Sequence, residues 1–246
     1  MKLIFSRKGF DSASGGAPSP IIEGEPSSLP IPKGRYPAET SYSAAGFGEI
    51  VERVTKRLKR PILTSELCHE DPMYWNGRWA FGQCGAAQSH LEKNRVGVGD
   101  VFLFYGLFAL DGRDRHHRIF GYLKIEEVRR LGRRPSKDDN PDGFPRRHPH
   151  TIRDWDANNT LYLGSGFKAR TAPPCLRLTK PGASVSTWSV PSWLKAAGLT
   201  YNSNPARWVG DGELHVALRG QEFVTDIAEQ AEALKWLHDV EAAVRQ

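Results

Sequence analysis

Cysteine is scarce in this chain, and long apolar runs are absent from it. The three cysteines, Cys68, Cys84 and Cys175, are widely spaced and odd in number, so they suggest neither a disulfide framework nor a zinc motif. Reduced thiols are typical of cytosolic proteins, and the apolar run at the N-terminus is too short for a signal peptide. No stretch approaches the length that spans a bilayer. The sequence therefore predicts a cytoplasmic protein without a membrane segment.

Named catalytic and cofactor motifs are also missing. The sequence contains no Walker loop, no dinucleotide-binding glycine fingerprint and no nucleophile-elbow motif. Two histidine pairs, His116 with His117 and His148 with His150, suggest metal ligands, but neither has a further ligand group at a suitable spacing. We therefore expect neither a metal nor another cofactor.

What the sequence does have is a globular composition with a modest excess of positive charge. Its 246 residues are 39% hydrophobic and 25% charged, which argues against disorder of the whole chain. The net charge of +6 suits a phosphate-bearing partner, although a weakly basic enzyme would carry the same charge. Seven tryptophans suit a core, an interface or stacking on bases. A nucleotide or DNA is the expected partner, and the sequence identifies no protein partner.

Short apolar segments and helical periodicities alternate along the chain. Strands are predicted at 3–5, 101–105, 119–125, 161–163, 176–178 and 214–218. Helices are predicted at 44–58, 82–94 and 191–197, and a C-terminal amphipathic helix follows Asp226 and Glu229, which can form a capping box. The strands around the polar link 111–117 predict an antiparallel hairpin with a long loop. We therefore predict one α+β domain over residues 1–246, with a mixed or antiparallel sheet flanked by helices.

Three polar segments that contain glycine follow predicted strands or begin a predicted helix, and they could form one ligand site. The first delivers Arg7 and Lys8 with glycine amides, which are groups that hold phosphate. The second offers two glutamines that can read base edges, and His90, which can exchange a proton. The alternative for the first segment is a solvated strand end, and for the second a structural histidine. The alternative for the third is a helix-entry turn whose charges face water. The predicted ligand-binding residues are Ser6, Arg7, Lys8, Asp11, Gly15, Gly16, Gln83, Gln88, His90, Arg219, Gln221 and Glu222.

A basic, turn-rich segment spans residues 129–150 and is predicted to be an exposed loop. We expect its arginines to contact the phosphate backbone of nucleic acid, which positions a duplex without selecting a base. These are Arg129, Arg130, Arg133, Arg134, Arg146 and Arg147. The alternative is a solvated loop that only aids solubility.

Several uncommon peptides occur in the order found in a known family. The chain resembles the nucleotide modification associated domain, type three, at 2–11, 15–16, 18–21, 29–32, 81–91, 97–106, 120–123, 148–150 and 219–224. The resemblance implies a setting in nucleotide or DNA modification in phages and bacteria, including defence pathways, but it implies no established reaction. Residues 99–105 and 120–125 are also similar to the paired strands of PUA-like (EVE and YTH) barrels, which implies a barrel in the middle of the chain and an aromatic pocket for a modified base.

Three functions remain open at this point. The first is a module that binds a modified nucleotide or base. The second is an enzyme that transfers a group to a nucleobase or removes one, with Asp11, His90 and Glu222 as acid–base candidates. The third is a protein that acts through protein contacts alone. A binding module needs a shaped pocket, whereas an enzyme also needs a titratable group within reach of the reacting atom.

Overall fold

The computed structural model describes residues 1–228 and 230–246. Its helices are α1 (Gly48–Thr55), α2 (Gly85–Lys93), α3 (Trp193–Ala197) and α4 (Ala231–Arg245). Its strands are β1 (Lys2–Arg7), β2 (Ser19–Ile22), β3 (Glu25–Pro26), β4 (Ile31–Pro32), β5 (Cys68–His69), β6 (Met73–Trp75), β7 (Arg78–Gln83), β8 (Val101–Leu110), β9 (Arg113–Arg130), β10 (Thr160–Lys168), β11 (Thr187–Ser189), β12 (Trp208–Val209), β13 (Glu213–His215) and β14 (Glu222–Asp226). Glu229, one partner of the predicted capping box, lies outside the described residues.

A large mixed sheet organises the fold and confirms the predicted α+β class. The strand order is β14-β1-β8-β9-β10-β7-β6, and β2 and β3 join it beside β8. Strand β1 has neighbours of both orientations, because it pairs antiparallel with β14 and parallel with β8. The path has two ends, at β14 and β6, so the sheet does not close on itself over the part of the chain that the structure describes.

The central hairpin is longer and its loop shorter than the sequence predicted. The polar link 111–117 is not a loop: the chain turns at Asp111 and Gly112, and β9 already begins at Arg113. Both turn residues have positive φ, 48° and 73°, which is the geometry of a two-residue hairpin turn. The polar residues that follow lie in the strand because pairing with β8 satisfies their backbone groups.

Other elements also differ from the predictions. Residues 82 and 83 end strand β7, so α2 begins only at Gly85. Leu176 lies in the short 3-10 helix Pro174–Leu176 instead of a strand. The stretch from Glu222, predicted as the junction between a strand and the last helix, is strand β14. Its pairing with β1 satisfies its backbone, and this long-range contact leaves no local signal in the sequence.

The two faces of the sheet carry separate cores because side chains alternate along each strand. Leu3 and Phe5 point to one face, where they pack with Trp188, α4 and the small sheet β11-β13-β12. Ile4 points to the other face, where it packs with aromatic residues of β7 and β8 and with Leu91 of α2. Among the described helices, none has both the length and the apolar character needed to cross a membrane.

Strand register brings distant segments to one edge of the sheet. Ser6 pairs with Glu222, so the end of β1 lies beside the start of β14. Gln83 ends β7 and is followed by α2, which contacts β14. The residues after β1, those after β7 and those before β14 therefore meet at the same edge.

Candidate functional site

A cavity of about 790 Å³ opens at this edge of the sheet. Its volume lies within the range of sites that hold small molecules and cofactors. All three polar segments singled out from the sequence contribute to its walls. Further walls come from the loops around Arg35, Asp71 and Trp155.

The predicted ligand-binding residues divide into two groups by position. Those that line the cavity are Arg7, Lys8, Asp11, Gln83, His90, Gln221 and Glu222, and those that do not are Ser6, Gly15, Gly16, Gln88 and Arg219. Gln88 is buried, accepts a hydrogen bond from Tyr162 and donates one to Glu92, so its amide is used within the fold. The contribution of each residue to binding stays a prediction.

A buried ion pair joins the three segments. Lys8 Nζ lies 2.9 Å from Glu222 Oε1, and the two side chains are 9% and 1% exposed. Gln83 Nε2 donates to the same carboxylate oxygen at 2.8 Å, and Lys8 lies 4.2 Å from the centre of the Phe81 ring. The charge of Lys8 is therefore balanced inside the protein. Glu222 Oε2 is buried and has no hydrogen-bond partner among the described residues.

Two arginines at the cavity carry charge that the protein does not balance directly. Among residues 1–228 and 230–246, neither Arg7 nor Arg35 has an ion-pair or hydrogen-bond partner for its guanidinium group, and both line the cavity. Arg35 is exposed and lies 5.5 Å from the centre of the Tyr36 ring. These two side chains are better placed to attract an anion than Lys8.

The N-terminus of α2 also faces the cavity. Gly85, Ala86 and Ala87 line it, and the preceding residue, Cys84, makes no side-chain cap hydrogen bond. The amide of Gly85 donates to Asn158 Oδ1 at 2.8 Å, whereas the next two amides have no acceptor within the helix. Free N–H groups and the positive end of the helix dipole favour an anion here.

The acid–base candidates have different environments. Asp11 Oδ1 accepts the backbone N–H groups of Ala13 and Ser14, so this carboxylate also shapes its own turn. His90 Nε2 lies 3.0 Å from Thr200 Oγ1, and its ring is 4.5 Å from that of Tyr201. Burial lowers the pKa of His90, an effect that the charge of Glu222 partly opposes.

A histidine–aspartate cluster forms another wall of the cavity, although the sequence indicated no group of metal ligands there. His69, Asp71 and His150 have potential ligand atoms that all lie within 4.8 Å of one another. His148 and His150 have no further ligand group at a suitable spacing in the sequence, but the fold places Asp71 between them and His69. Sequence spacing could not reveal it because the group is assembled from β5, the following loop and the 3-10 helix Pro149–Thr151.

Burial sets the charge state of this cluster. It lowers the pKa of His150 to about 3, although Asp71 opposes the effect, and it also lowers the pKa of His69. Burial raises the pKa of Asp71, but the hydrogen bond and charge of His148 and the charges of the other two histidines outweigh it, so that pKa is low. The carboxylate of Asp71 therefore stays ionised, while burial disfavours the charged forms of His69 and His150.

The basic segment is more ordered than a loop. Arg129 and Arg130 belong to β9, which corrects the prediction of an exposed loop for residues 129–150. Arg146 donates two hydrogen bonds to Glu70, at 2.8 and 2.6 Å, so its guanidinium group is used within the fold. The other predicted phosphate-contacting arginines are Arg133, Arg134 and Arg147, and their contact with nucleic acid stays a prediction.

Comparison with known proteins adds one match. The sequence model of the family "Nucleotide modification associated domain 3" matches residues 2–226, which include every cavity-lining residue discussed above. The C-terminal helix α4 lies beyond the matched range. No curated protein and no solved structure matches the chain.

Proposed function

Because the chain belongs to the nucleotide modification associated domain 3 family, we propose that its cavity binds a modified nucleotide or a modified base of DNA. Membership of this family supports a general role in nucleotide modification. The observation that carries the proposal is the meeting of three distant polar segments in one cavity with unpaired cations, free amides and exposed rings. A cytoplasmic location accompanies this proposal as a prediction.

The phosphate would lie near the N-terminus of α2. The amides of Ala86 and Ala87 can donate to it, and Arg35 can reach it as a bidentate partner from the neighbouring loop. Arg7 adds a second positive charge to the same cavity. A bare nucleoside would forgo these contacts and should bind more weakly than its monophosphate.

The base would stack on an aromatic ring of the wall. Tyr201 is 48% exposed and lines the cavity next to His90, so its ring offers accessible surface to a base. Gln221 is an exposed cavity residue whose amide can both donate to and accept from a base edge. Stacking of one base on an aromatic side chain contributes about 1–3 kcal/mol, which suits a site that accepts altered bases.

Calorimetric titration of the protein with deoxynucleoside monophosphates, plain and base-modified, tests the proposal. Tyr201→Ala should weaken binding by roughly 5- to 100-fold because it removes the stacking surface, and Tyr201→Phe should retain most of the affinity. Arg35→Ala should weaken the monophosphate but leave the corresponding nucleoside unchanged.

Trp75→Ala is the matched control, because Trp75 is a similarly exposed aromatic, 43% against 48%, that does not line the cavity. It should bind as the wild type does. If no nucleotide, nucleoside or modified oligonucleotide binds, or if Trp75→Ala and Tyr201→Ala have equal effects, the proposed site is wrong.

An enzyme that acts on a nucleobase is the second candidate. Glu222 favours it, because a buried carboxylate with one unpartnered oxygen lines the same cavity as His90. Such a pair could move a proton to or from a bound base. Incubation with modified and plain nucleotides, followed by mass spectrometry, separates the two candidates: a binding module returns the nucleotide unchanged, whereas an enzyme returns a product of altered mass.

A further inference from the structure

The hydrogen bonds around the histidine–aspartate cluster determine where its protons lie. His69 Nδ1 lies 3.3 Å from the carbonyl oxygen of Pro37, which can only accept, so Nδ1 carries a proton and Nε2 is the nitrogen available to a ligand. His150 Nδ1 lies 2.6 Å from Asn159 Oδ1. Asn159 Nδ2 donates to the carbonyl oxygen of His150, which fixes the orientation of the amide and makes Oδ1 the atom that faces the His150 ring. Because Oδ1 can only accept, His150 also carries a proton on Nδ1.

These tautomers leave two lone pairs facing one carboxylate oxygen. His69 Nε2 and His150 Nε2 lie 3.8 and 3.6 Å from Asp71 Oδ2. Both separations exceed hydrogen-bond distance, so no hydrogen bond joins either nitrogen to the carboxylate. Three acceptors that face each other at these distances repel unless a cation or a water molecule lies between them.

The other oxygen of Asp71 is held by the protein. Asp71 Oδ1 accepts the backbone N–H of Gly82 at 2.9 Å and lies 3.3 Å from His148 Nε2. His148 carries its proton on Nε2, because its Nδ1 accepts the backbone N–H of His150. The carboxylate is thus fixed through Oδ1, and no donor among the described residues reaches Oδ2 within hydrogen-bond distance.

From this geometry we propose that His69, Asp71 and His150 bind a divalent transition-metal ion such as Zn²⁺ or Fe²⁺. Two imidazoles and one carboxylate suit these ions, and ligating histidines in proteins usually donate their other N–H to a carbonyl or amide oxygen, as both do here. Ligand atoms about 2.0–2.2 Å from such an ion lie roughly 3–3.5 Å apart. The two nitrogen–oxygen separations, 3.8 and 3.6 Å, need to shorten by only a few tenths of an ångström, and the two nitrogens lie within 4.8 Å of each other.

The site would be open on the side of the cavity. All three ligands line the cavity, and they leave further coordination positions toward it for water or a bound molecule. The ring of Trp155 stacks on His150 at 4.0 Å and shields one side of the cluster. The metal site extends the proposed function, since the ion would face the space assigned to the nucleotide, but its existence does not depend on nucleotide binding.

Titration of the chelator-treated protein with Zn²⁺ alone, and with Fe²⁺ under exclusion of oxygen, tests the proposal without any nucleotide. Wild type should bind about one ion per chain by calorimetry and by elemental analysis after desalting. Loss of an outer partner of a metal ligand already costs about 10–100-fold in affinity, so Asp71→Asn, which removes a ligand charge, should cost about 100-fold or more. Co²⁺ should give a visible absorption band in the wild type that this variant lacks.

His215→Gln is the matched control, because His215 is 49% exposed and does not line the cavity, and it should leave the stoichiometry unchanged. His69→Gln provides a second ligand variant if Asp71→Asn does not fold. A wild type that binds no ion, or ligand variants that bind as the wild type does, would overturn the metal site. Nucleotide titration of the chelator-treated protein is a separate readout, so failure of one proposal is distinguishable from failure of the other.

Discussion

Replacing Lys8 by methionine removes the ammonium group that balances the buried charge of Glu222. The two side chains are only 9% and 1% exposed, so water has little access to the carboxylate that loses its partner. Gln83 still donates one hydrogen bond to the carboxylate, but an amide supplies no full charge. The variant therefore tests whether this ion pair holds the edge of the sheet together.

The expected cost follows from the geometry. At an effective dielectric constant of about 20, opposite unit charges 2.9 Å apart attract by about 6 kcal/mol, and desolvation of both groups offsets part of this. Breaking a buried pair by removing one partner typically costs about 3–5 kcal/mol. For a chain of this length, that loss lowers the melting temperature by roughly 10 °C. Glu222→Gln should have a similar effect because it leaves the ammonium group unpaired.

Urea unfolding monitored by circular dichroism measures these free energies of unfolding, provided that the variants have the same m-value as the wild type. The double variant Lys8→Met with Glu222→Gln should be more stable than either single variant, because no unpaired charge stays buried and Gln83 keeps an acceptor. Lys235→Met is the control, because its pair with Asp239 is exposed and should contribute little. Two results would refute the reasoning. One is single variants that are as stable as the control. The other is a double variant whose loss of unfolding free energy equals the sum of the losses in the two single variants.

Three further predictions concern other parts of the molecule. The double variant Arg133→Ala with Arg134→Ala should weaken the binding of modified and plain DNA equally. The slope of the logarithm of the binding constant against the logarithm of the salt concentration should become less steep by about one per lost phosphate contact. An unchanged slope in filter-binding measurements would mean that these arginines do not contact DNA. Gly82→Ala should destabilise the protein by about 1–3 kcal/mol, because the new Cβ would come within van der Waals distance of the His150 ring; a thermal melt equal to wild type would contradict this. Burial lowers the pKa of His117 from 6.5 to about 3. Between these pH values the imidazole binds a proton in the unfolded chain but not in the folded protein. The free energy of unfolding should therefore fall by about 1.4 kcal/mol per pH unit as the pH decreases through that window. His117→Gln should flatten this part of the profile, and an equal slope in both proteins would exclude His117 as its source.

The parts of the fold that the sequence predicts well are those with a strong local signal. Strands β1 and β8 contain nearly uniform apolar runs, and both are central in the sheet, buried on two faces. The start of β9 is polar, and β14 follows a glycine turn, so local patterns favoured a loop at each position. These strands exist because of pairing partners, in the case of β14 a partner more than two hundred residues away in β1. Pairing at that distance has no signature in periodicity.

The same distinction explains which half of the candidate site could be predicted. The segments around Lys8 and Glu222 could be singled out because each combines polar groups with glycines beside a predicted element, whereas their meeting at one edge follows from the pairing of β1 with β14. The histidine–aspartate cluster had no such signal, because its members come from strand β5, the following loop and the 3-10 helix Pro149–Thr151. One residue does carry a signal: Gly82 interrupts an otherwise bulky strand, and a glycine within a strand often marks a close approach. A Cβ at that position would lie 2.2 Å from the ring of His150. The packing of this imidazole therefore requires glycine at residue 82, and the glycine is visible in the sequence.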